Sequence, residues 1–144
     1  MPDPPPDGQV ALRIEFAGVE DARHLRYGFA IFADGELWAE NGGIVRGDKH
    51  RARGEYAGLY LALGRVLAHF DRFESLDIAG DSQTVIQQLR GAWKAKGMKD
   101  ALGFTLYKLR EAQRRCDERP TITLYSPGQN ARANRLARGA ARGL

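Results

Sequence analysis

The sequence predicts an α/β domain built on a mixed five-stranded sheet, with three antiparallel strands, then parallel crossovers, and helices on both faces. Three observations lead to this fold class. Asp34-Gly35 separates two β-type runs, which is typical of a hairpin. Residues 53–70 change to a helical period. Short apolar runs and helical segments then alternate, so the predicted order is β-β-β-α-β-α-α-β-α.

Three strands are predicted in the first third of the chain. Apolar residues at every second position from Val10 to Phe16 predict the first strand, with Glu15 near its C-terminal end. The polar residues 18–26 are expected to form a loop. The second and third strands then flank the Asp-Gly turn, over residues 27–32 and 36–40.

Two candidate acids lie on the next two elements. A helix is predicted over residues 53–70, with Glu55 in its first turn, where a carboxylate is favoured by the helix dipole. A short strand over residues 75–80 then ends at Asp81. Because ligands of such sheets gather at the carboxyl ends of strands, Asp81 is predicted to lie at a functional edge, as is Glu15.

The remaining elements follow in the predicted alternation. They are a helix over 82–89, a basic break over 91–97, a helix over 101–116, a strand over 121–125, and a last helix capped by Asn130 that runs to about residue 142.

The length and composition indicate one globular domain. It is assigned to residues 10–144, after a proline-rich lead-in over residues 1–9 that is expected to be disordered. The single cysteine, Cys116, excludes an internal disulfide and suits the reducing cytoplasm, where we expect the protein to reside. No apolar run is long enough to span a membrane, and a monomer is the default expectation.

Basic residues are concentrated in the second half of the chain. The net charge is +4, and residues 90–142 contain 13 Lys and Arg residues, whereas residues 1–80 contain nine Lys and Arg against 13 Asp and Glu residues. Such a distribution indicates an anionic partner, most commonly a nucleic acid. A requirement for solubility alone explains the same composition equally well.

Three motifs, in the predicted order, resemble those of the type 1 ribonuclease H family. Residues 54–59 (GEYAGL) resemble the start of the family's first helix, and residues 78–86 (IAGDSQTVI) resemble its strand-to-helix motif. Residues 130–137 (NARANRLA) are similar to its last helix. The resemblance covers roughly residues 12–141 and includes the order of the elements.

The resemblance implies a metal-dependent endonuclease that hydrolyses the RNA strand of RNA/DNA hybrids. In that family four acidic residues hold two divalent ions, Mg²⁺ or Mn²⁺; one ion activates water and the other stabilises the departing 3′ oxygen. Glu55 and Asp81 match two of the four positions. A plainer interpretation is that Glu55 serves the helix dipole and Asp81 caps a helix.

The first acid position is open between two residues. Matching Tyr27-Gly28 to the pair that opens the family's second strand, without a gap, places Glu15 there, and we favour this alignment. A loop two residues shorter would place Ala17 there and leave no ligand. Because glutamate is longer than the usual aspartate, we expect Mg²⁺ to support less activity and Mn²⁺ to tolerate the change better.

The fourth acid is replaced by Asn134. Its amide oxygen can bind a hard cation but brings no charge, so the second metal is expected to bind weakly. The expected catalytic and metal-ligating set is therefore Glu15, Glu55, Asp81 and Asn134. Alternatively, Asn134 is a helix-surface residue without a role.

Six residues are predicted to contact the nucleic acid. They are Gln83, Trp93, Lys94, Lys96, Arg51 and Arg53. Trp93 with its lysines resembles the segment with which family members hold the DNA strand, because an aromatic ring can stack while lysines neutralise phosphates. A tryptophan that covers a helix junction would fit equally well.

Two other functions stay open. One is a catalytically weakened or inactive nucleic-acid-binding module with the same fold. The other is an assembly domain of a larger complex.

Overall fold

The computed structural model describes residues 9–20, 24–45, 51–94 and 97–139, apart from the side chains of Arg51 and Ala52. The elements in chain order are β1 (Ala11–Glu20), β2 (Leu25–Ala33), β3 (Glu36–Val45), α1 (Arg51–His69), β4 (Ser75–Gly80), α2 (Gln83–Leu89), α3 (Lys99–Arg115), β5 (Thr121–Leu124) and α4 (Ala131–Gly139). A 3₁₀ turn, Pro127–Asn130, leads into α4. The predicted lead-in lies outside the described residues, apart from Gln9.

The five strands form one mixed sheet in the order β3-β2-β1-β4-β5. β1 and β3 are each antiparallel to β2, whereas β4 is parallel to β1 and β5 is parallel to β4. The predicted fold class is therefore confirmed. β1 lies at the centre of the sheet, so its residues from Leu12 to Phe16 have partners on both β2 and β4.

The main core lies between the sheet and α1. Leu12, Ile14 and Phe16 of β1 are almost completely buried, as are Leu59 and Leu63 of α1. Burying each such side chain contributes about 1.5–3 kcal/mol of transfer free energy. The apolar residues that alternate along β1 therefore pack against the apolar face of α1 in one layer, and this packing fixes α1 on the sheet.

Small residues bring α4 close to the other face. A Cβ on Gly28 of β2 would lie 2.6 Å from the backbone nitrogen of Ala137 and would also meet the Ala133 carbonyl oxygen. Ala133 and Ala137 are completely buried. The glycine therefore lets the last helix approach the backbone of the sheet, which positions Asn134 near the strand ends.

The strands of the first hairpin are longer than predicted. β1 continues to Glu20 and pairs with the start of β2, so much of the expected loop over residues 18–26 is strand. Glu15 therefore lies five residues before the end of β1 and not near its end, which corrects the prediction. The reason is that backbone pairing with β2 persists after β4 ends at Gly80, and it needs no apolar alternation.

A smaller difference concerns the start of α1. α1 begins at Arg51 and has no acidic residue in its first turn, so Glu55 lies further in than predicted. This weakens the interpretation of Glu55 as a dipole-stabilising residue, because that effect falls off within the first turn.

None of the helices in the described ranges is long and apolar enough to cross a membrane.

Candidate active site

Asp81 lies at the carboxyl end of β4. It follows Gly80, the last residue of β4 that pairs with β1 and β5. The Ser82 hydroxyl accepts a hydrogen bond from the Val85 backbone nitrogen at 3.2 Å and so caps α2. Since Ser82 provides the cap, the carboxylate of Asp81 is left for other contacts.

Asn134 contacts Asp81 directly. Its side-chain nitrogen donates to Asp81 Oδ2 at 2.8 Å, and Asn134 is 9% exposed. The contact joins the last helix to the end of β4. The two residues are 53 positions apart in the sequence and are neighbours in the structure. Only their similarity to family motifs had placed them in one predicted site.

Glu55 lies against the end of β1. A Cβ on Gly18 would lie 2.6 Å from the Glu55 backbone nitrogen and 2.7 Å from its Cγ. Glu55 itself is buried, with 6% exposure. Only a residue without a side chain allows this approach, so Gly18 sets the position of Glu55 beside the sheet. No motif or periodic pattern in the sequence distinguishes Gly18.

The register of β1 against β4 distinguishes Ala17 from Glu15. Phe16 is level with Gly80, so Ala17 and Asp81 are the residues that follow the last paired position on each strand. Glu15 is level with Ala79, one step before it. The residue of β1 beside Asp81 is therefore Ala17, which corresponds to the alternative with the shorter loop.

Glu15 is occupied by two local partners. The Tyr125 hydroxyl donates to Glu15 Oε2 at 3.1 Å, and Arg13 Nε lies 3.3 Å from the same oxygen. The Arg13 guanidinium also stacks on the Phe32 ring at 4.5 Å. Burial raises the pKa of the Tyr125 phenol, and the neighbouring Glu15 carboxylate raises it further. Tyr125 therefore stays protonated and able to donate to Glu15 at neutral pH.

Asn130 connects the last helix to β1. Its side-chain nitrogen donates to the Phe16 carbonyl oxygen at 2.8 Å, and Asn130 is completely buried. Its Oδ1 atom has no hydrogen-bond partner in the described part of the protein, so the predicted capping of α4 is wrong. The contact holds the start of α4 against the strand that contains Ala17.

The side chains near this edge of the sheet offer the oxygen donors that a hard cation prefers, but fewer carboxylates than a four-acid site has. Asp81, Glu55 and Asn134 offer the oxygen ligands that Mg²⁺ and Mn²⁺ prefer. In the described ranges no three acidic, histidine or cysteine side chains gather into a metal-binding group. The residues therefore fit a site with two carboxylates and one amide, rather than one with four carboxylates.

The predicted nucleic-acid contacts have different environments. Gln83 is exposed on the first turn of α2, and Trp93 is 46% exposed with Lys94 beside it. Arg53 donates two hydrogen bonds to the Asp100 carboxylate, at 2.8 and 2.9 Å, and one to the Gly97 carbonyl oxygen at 3.2 Å. Arg53 therefore fastens the start of α3 to α1. Lys96 and the Arg51 side chain lie outside the described residues.

A groove of about 450 Å³ lies beside Trp93, between α2 and α3. Leu102 and Leu106 form its apolar wall, and Lys94 and Lys99 contribute positive charge. On the α2 side, the Tyr56 hydroxyl donates to Gln88 Oε1 at 2.6 Å, and Gln88 Nε2 donates to the Lys94 carbonyl oxygen at 3.3 Å. These bonds connect the basic segment to α1.

Comparison with known proteins identifies related sequences and structures. Residues 33–140 match the family described as reverse transcriptase-like. No match was found among curated protein sequences.

Three solved structures of ribonuclease H proteins are similar to this chain. RNase H1 of the halophilic archaeon Halobacterium salinarum is 28% identical, with a TM-score of 0.74, and the match covers 95% of this chain and 100% of that one. The N-terminal RNase H domain of rv2228c from Mycobacterium tuberculosis is 21% identical, with a TM-score of 0.78, over 91% and 98% of the two chains. LC11-RNase H1, solved in complex with an RNA/DNA hybrid, is 19% identical, with a TM-score of 0.75, over 92% and 97%. That protein was isolated from compost by a metagenomic approach.

Proposed function

Because this chain belongs to the reverse transcriptase-like family and has the ribonuclease H fold, we propose that it binds RNA/DNA hybrids and hydrolyses the RNA strand with a divalent metal ion. Two similar structures support the proposed substrate: the protein from Halobacterium salinarum is an RNase H1, and LC11-RNase H1 was solved with a hybrid. Family membership supports the reaction class, and the site residues of this chain determine how well it proceeds.

The contact between Asp81 and Asn134 is the observation that carries the proposal. It unites the end of β4 with the last helix at 2.8 Å. Ala17 lies level with Asp81, and Glu55 packs against Gly18, the next residue of β1. Side chains of β4, α4 and α1 that can offer oxygen donors therefore lie near the carboxyl edge of the sheet, which supports a ligand site there.

The residues have separate tasks in the proposed reaction. Asp81 and Glu55 would hold a divalent ion, and Asn134 would add its amide oxygen once its nitrogen is no longer bonded to Asp81. Such an ion, when bound, neutralises charge on the scissile phosphate and makes a water molecule more acidic. Gly18 and Asn130 keep α1 and α4 in place around the ligands.

Substrate contacts are proposed on the surface beside this edge. Gln83 projects from the start of α2, and Trp93 with Lys94 would stack on and neutralise one strand of the hybrid. We include Arg51 and Lys96 with these residues on the basis of their charge. Arg53 acts by holding α3, through Asp100, rather than by contacting phosphate.

A second candidate function is a hybrid-binding module without catalysis. It is favoured by Ala17 at the level of Asp81, because the strand then offers no carboxylate there. The bonding of Glu15 to Tyr125 and Arg13 also favours it, since this carboxylate already has partners. In this case the basic, aromatic surface would be retained while the reaction is lost.

Cleavage of a labelled RNA/DNA hybrid tests the proposal. The protein is incubated with the hybrid, single-stranded RNA, duplex RNA or duplex DNA, in Mg²⁺ or in Mn²⁺, and binding is followed in parallel. Hydrolysis of the RNA strand of the hybrid alone is expected, faster in Mn²⁺, because that ion tolerates an irregular ligand set better.

Two variants make the assay specific to this site. Asp81→Asn is expected to lower the rate roughly a hundredfold or more, since even partners of metal ligands are worth 10- to 100-fold. Asp71→Asn makes the same chemical change at an exposed residue after α1 and should leave the rate unchanged. Binding without hydrolysis in either metal would favour the binding module, and absence of both would overturn both functions.

A further inference from the structure

The exposed aromatic side chains lie on α1, on α3 and in the segment that follows α2. In the described ranges the large exposed aromatics are Tyr60, Trp93, Phe104 and Tyr107. Phe104 is 64% exposed and Tyr107 75%, although both rings lie on a regular helix. Rings this exposed contribute little to packing within the protein. Exposed apolar groups that lie together commonly mark a binding surface.

Neighbouring residues connect the positions of these rings across α3 and α1. Gly103 and Leu106 form one wall of the groove that contains Trp93, and Tyr107 follows Gly103 by one helical turn. Lys108, one turn after Phe104, places its ammonium 4.1 Å from the centre of the Tyr60 ring. We call Tyr60, Phe104 and Tyr107 the α3 aromatic surface.

The charge around the α3 aromatic surface is positive. α3 contains five basic and two acidic residues. Both acids are neutralised within the protein: Asp100 by Arg53, and Glu111 by Arg114 and Arg115. Consistently, hydrogen bonds from these arginines lower the pKa of both carboxyls.

Several cations therefore remain available beside the rings. Lys99 and Arg110 are exposed, and neither they nor Lys108 make an ion pair within the described part of the chain; the Lys108 ammonium lies beside the Tyr60 ring and close to Gly64. A partner of this surface must combine negative charge with flat groups that can stack. Unpaired nucleotides meet both requirements, whereas an apolar or acidic protein surface meets only one.

We propose that the α3 aromatic surface binds a single-stranded nucleic acid, with unpaired bases stacked on Phe104 and Tyr107 and phosphates neutralised by Lys99, Lys108 and Arg110. The surface is separate from the acids at the sheet edge and extends outward from Trp93. It would hold a strand that continues beyond a paired hybrid, or an independent strand, without contributing to hydrolysis.

Fluorescence anisotropy with labelled oligothymidine and oligouridine, in the absence of divalent metal, tests the proposal. Because metal is omitted, the result is independent of whether the protein cleaves hybrids. The full chain is expected to bind in a salt-dependent manner. Phe104→Ala/Tyr107→Ala should weaken binding about tenfold or more, because both rings on which bases would stack are removed.

Two further variants separate stacking from apolar contact and from unfolding. Phe104→Leu/Tyr107→Leu keeps apolar bulk but removes both rings, and it should weaken binding as much as the alanine pair does. Leu37→Ala removes an exposed apolar side chain on β3, away from α3, and should change nothing. Circular dichroism verifies that all variants fold.

Three outcomes would overturn the proposal. They are no binding of either oligonucleotide by the parent chain, equal binding by the parent and the alanine pair, and full binding by the leucine pair. Loss of a dimer in the alanine pair, without any oligonucleotide binding by the parent, would show instead that a second copy of the chain occupies the surface. Preference for oligothymidine or oligouridine identifies the kind of strand.

Discussion

At the scale of single residues, the two-residue offset between Glu15 and Ala17 limits the chemistry of the site. Successive residues of a strand rise about 3.3 Å, so Glu15 starts about 6.6 Å further back than Ala17. The extra methylene of glutamate adds only about 1.5 Å of reach. Glu15 can therefore not replace an acid at position 17 unless β1 shifts, and its contacts with Tyr125 and Arg13 oppose such a shift.

Ala17→Asp is expected to increase hydrolysis of the hybrid about tenfold or more, because it adds a charged ligand level with Asp81. Ala17→Asn provides a matched control with the same shape and no charge, and it should give a smaller gain. Single-turnover rates in Mn²⁺ measure both. If Glu15→Gln abolishes activity while Ala17→Asp adds none, Glu15 is the ligand and this account of the register is wrong.

Asn134→Asp is expected to increase metal affinity and the rate of hydrolysis. The Asn134 amide donates a hydrogen bond to Asp81. An aspartate at position 134 would lose this bond, and its carboxylate would repel that of Asp81. A bound cation would relieve the repulsion. Thermal unfolding should accordingly occur at a lower temperature without metal, and Mn²⁺ should raise it more than in the parent. An unchanged rate and an unchanged response to Mn²⁺ would argue against a metal-ligating role for position 134.

At the scale of elements, glycines determine how closely the helices approach the sheet. Gly28 faces α4, and Gly18 faces the second turn of α1 at Glu55. Each contact brings a site residue to the strand ends, so packing and chemistry depend on the same positions. The sequence offered little sign of this, since an isolated glycine in a strand indicates close approach without identifying the partner.

Gly28→Ala is expected to lower the free energy of unfolding by about 1–3 kcal/mol, because the added Cβ would overlap the backbone of α4. Urea denaturation measures the change. Gly103→Ala is the matched control: no atom lies within 4 Å of its added Cβ, and alanine favours a helix by roughly 0.5–1 kcal/mol. Equal effects of the two substitutions would contradict the proposed packing of α4.

The Arg53–Asp100 ion pair predicts a pH dependence for the junction of α1 and α3. Hydrogen bonds from Arg53 lower the pKa of the Asp100 carboxyl, so the folded state prefers the ionised form. The resulting stability is present above the ordinary aspartate range and is lost as the pH falls through the lowered pKa. In an NMR titration, Arg53→Gln should shift the midpoint of Asp100 upward. An unchanged midpoint would show that the pair does not persist in solution.

At the scale of the whole molecule, apolar periodicity and turn residues predicted the five-stranded sheet and the helices α1 to α4. They sufficed because β1 and α1 each bury one regular apolar face, and because Asp34-Gly35 forms the turn between β2 and β3. The ends of β1 and β3 were missed, since pairing along β2 extends through glycines and polar residues that carry no alternating pattern.

The candidate site was predictable only in part. Motif similarity brought Asp81 and Asn134 into one hypothesis, and the structure places them in contact. The choice between Glu15 and Ala17 depended on a loop length, and a sequence does not specify strand register through a shortened loop. The partners Tyr125 and Asn130 were not identified, because each is far in sequence from the strand residue that it contacts.

The most direct test of the account is the single-turnover rate of RNA-strand hydrolysis in an RNA/DNA hybrid with Mn²⁺. It is measured for the parent chain, for Asp81→Asn and for the combined Ala17→Asp/Asn134→Asp variant. The account predicts that the combined variant is fastest, the parent slower and Asp81→Asn slowest, because the rate follows the number of carboxylates at the sheet edge. A combined variant no faster than the parent, or hydrolysis that persists undiminished in Asp81→Asn, would contradict it.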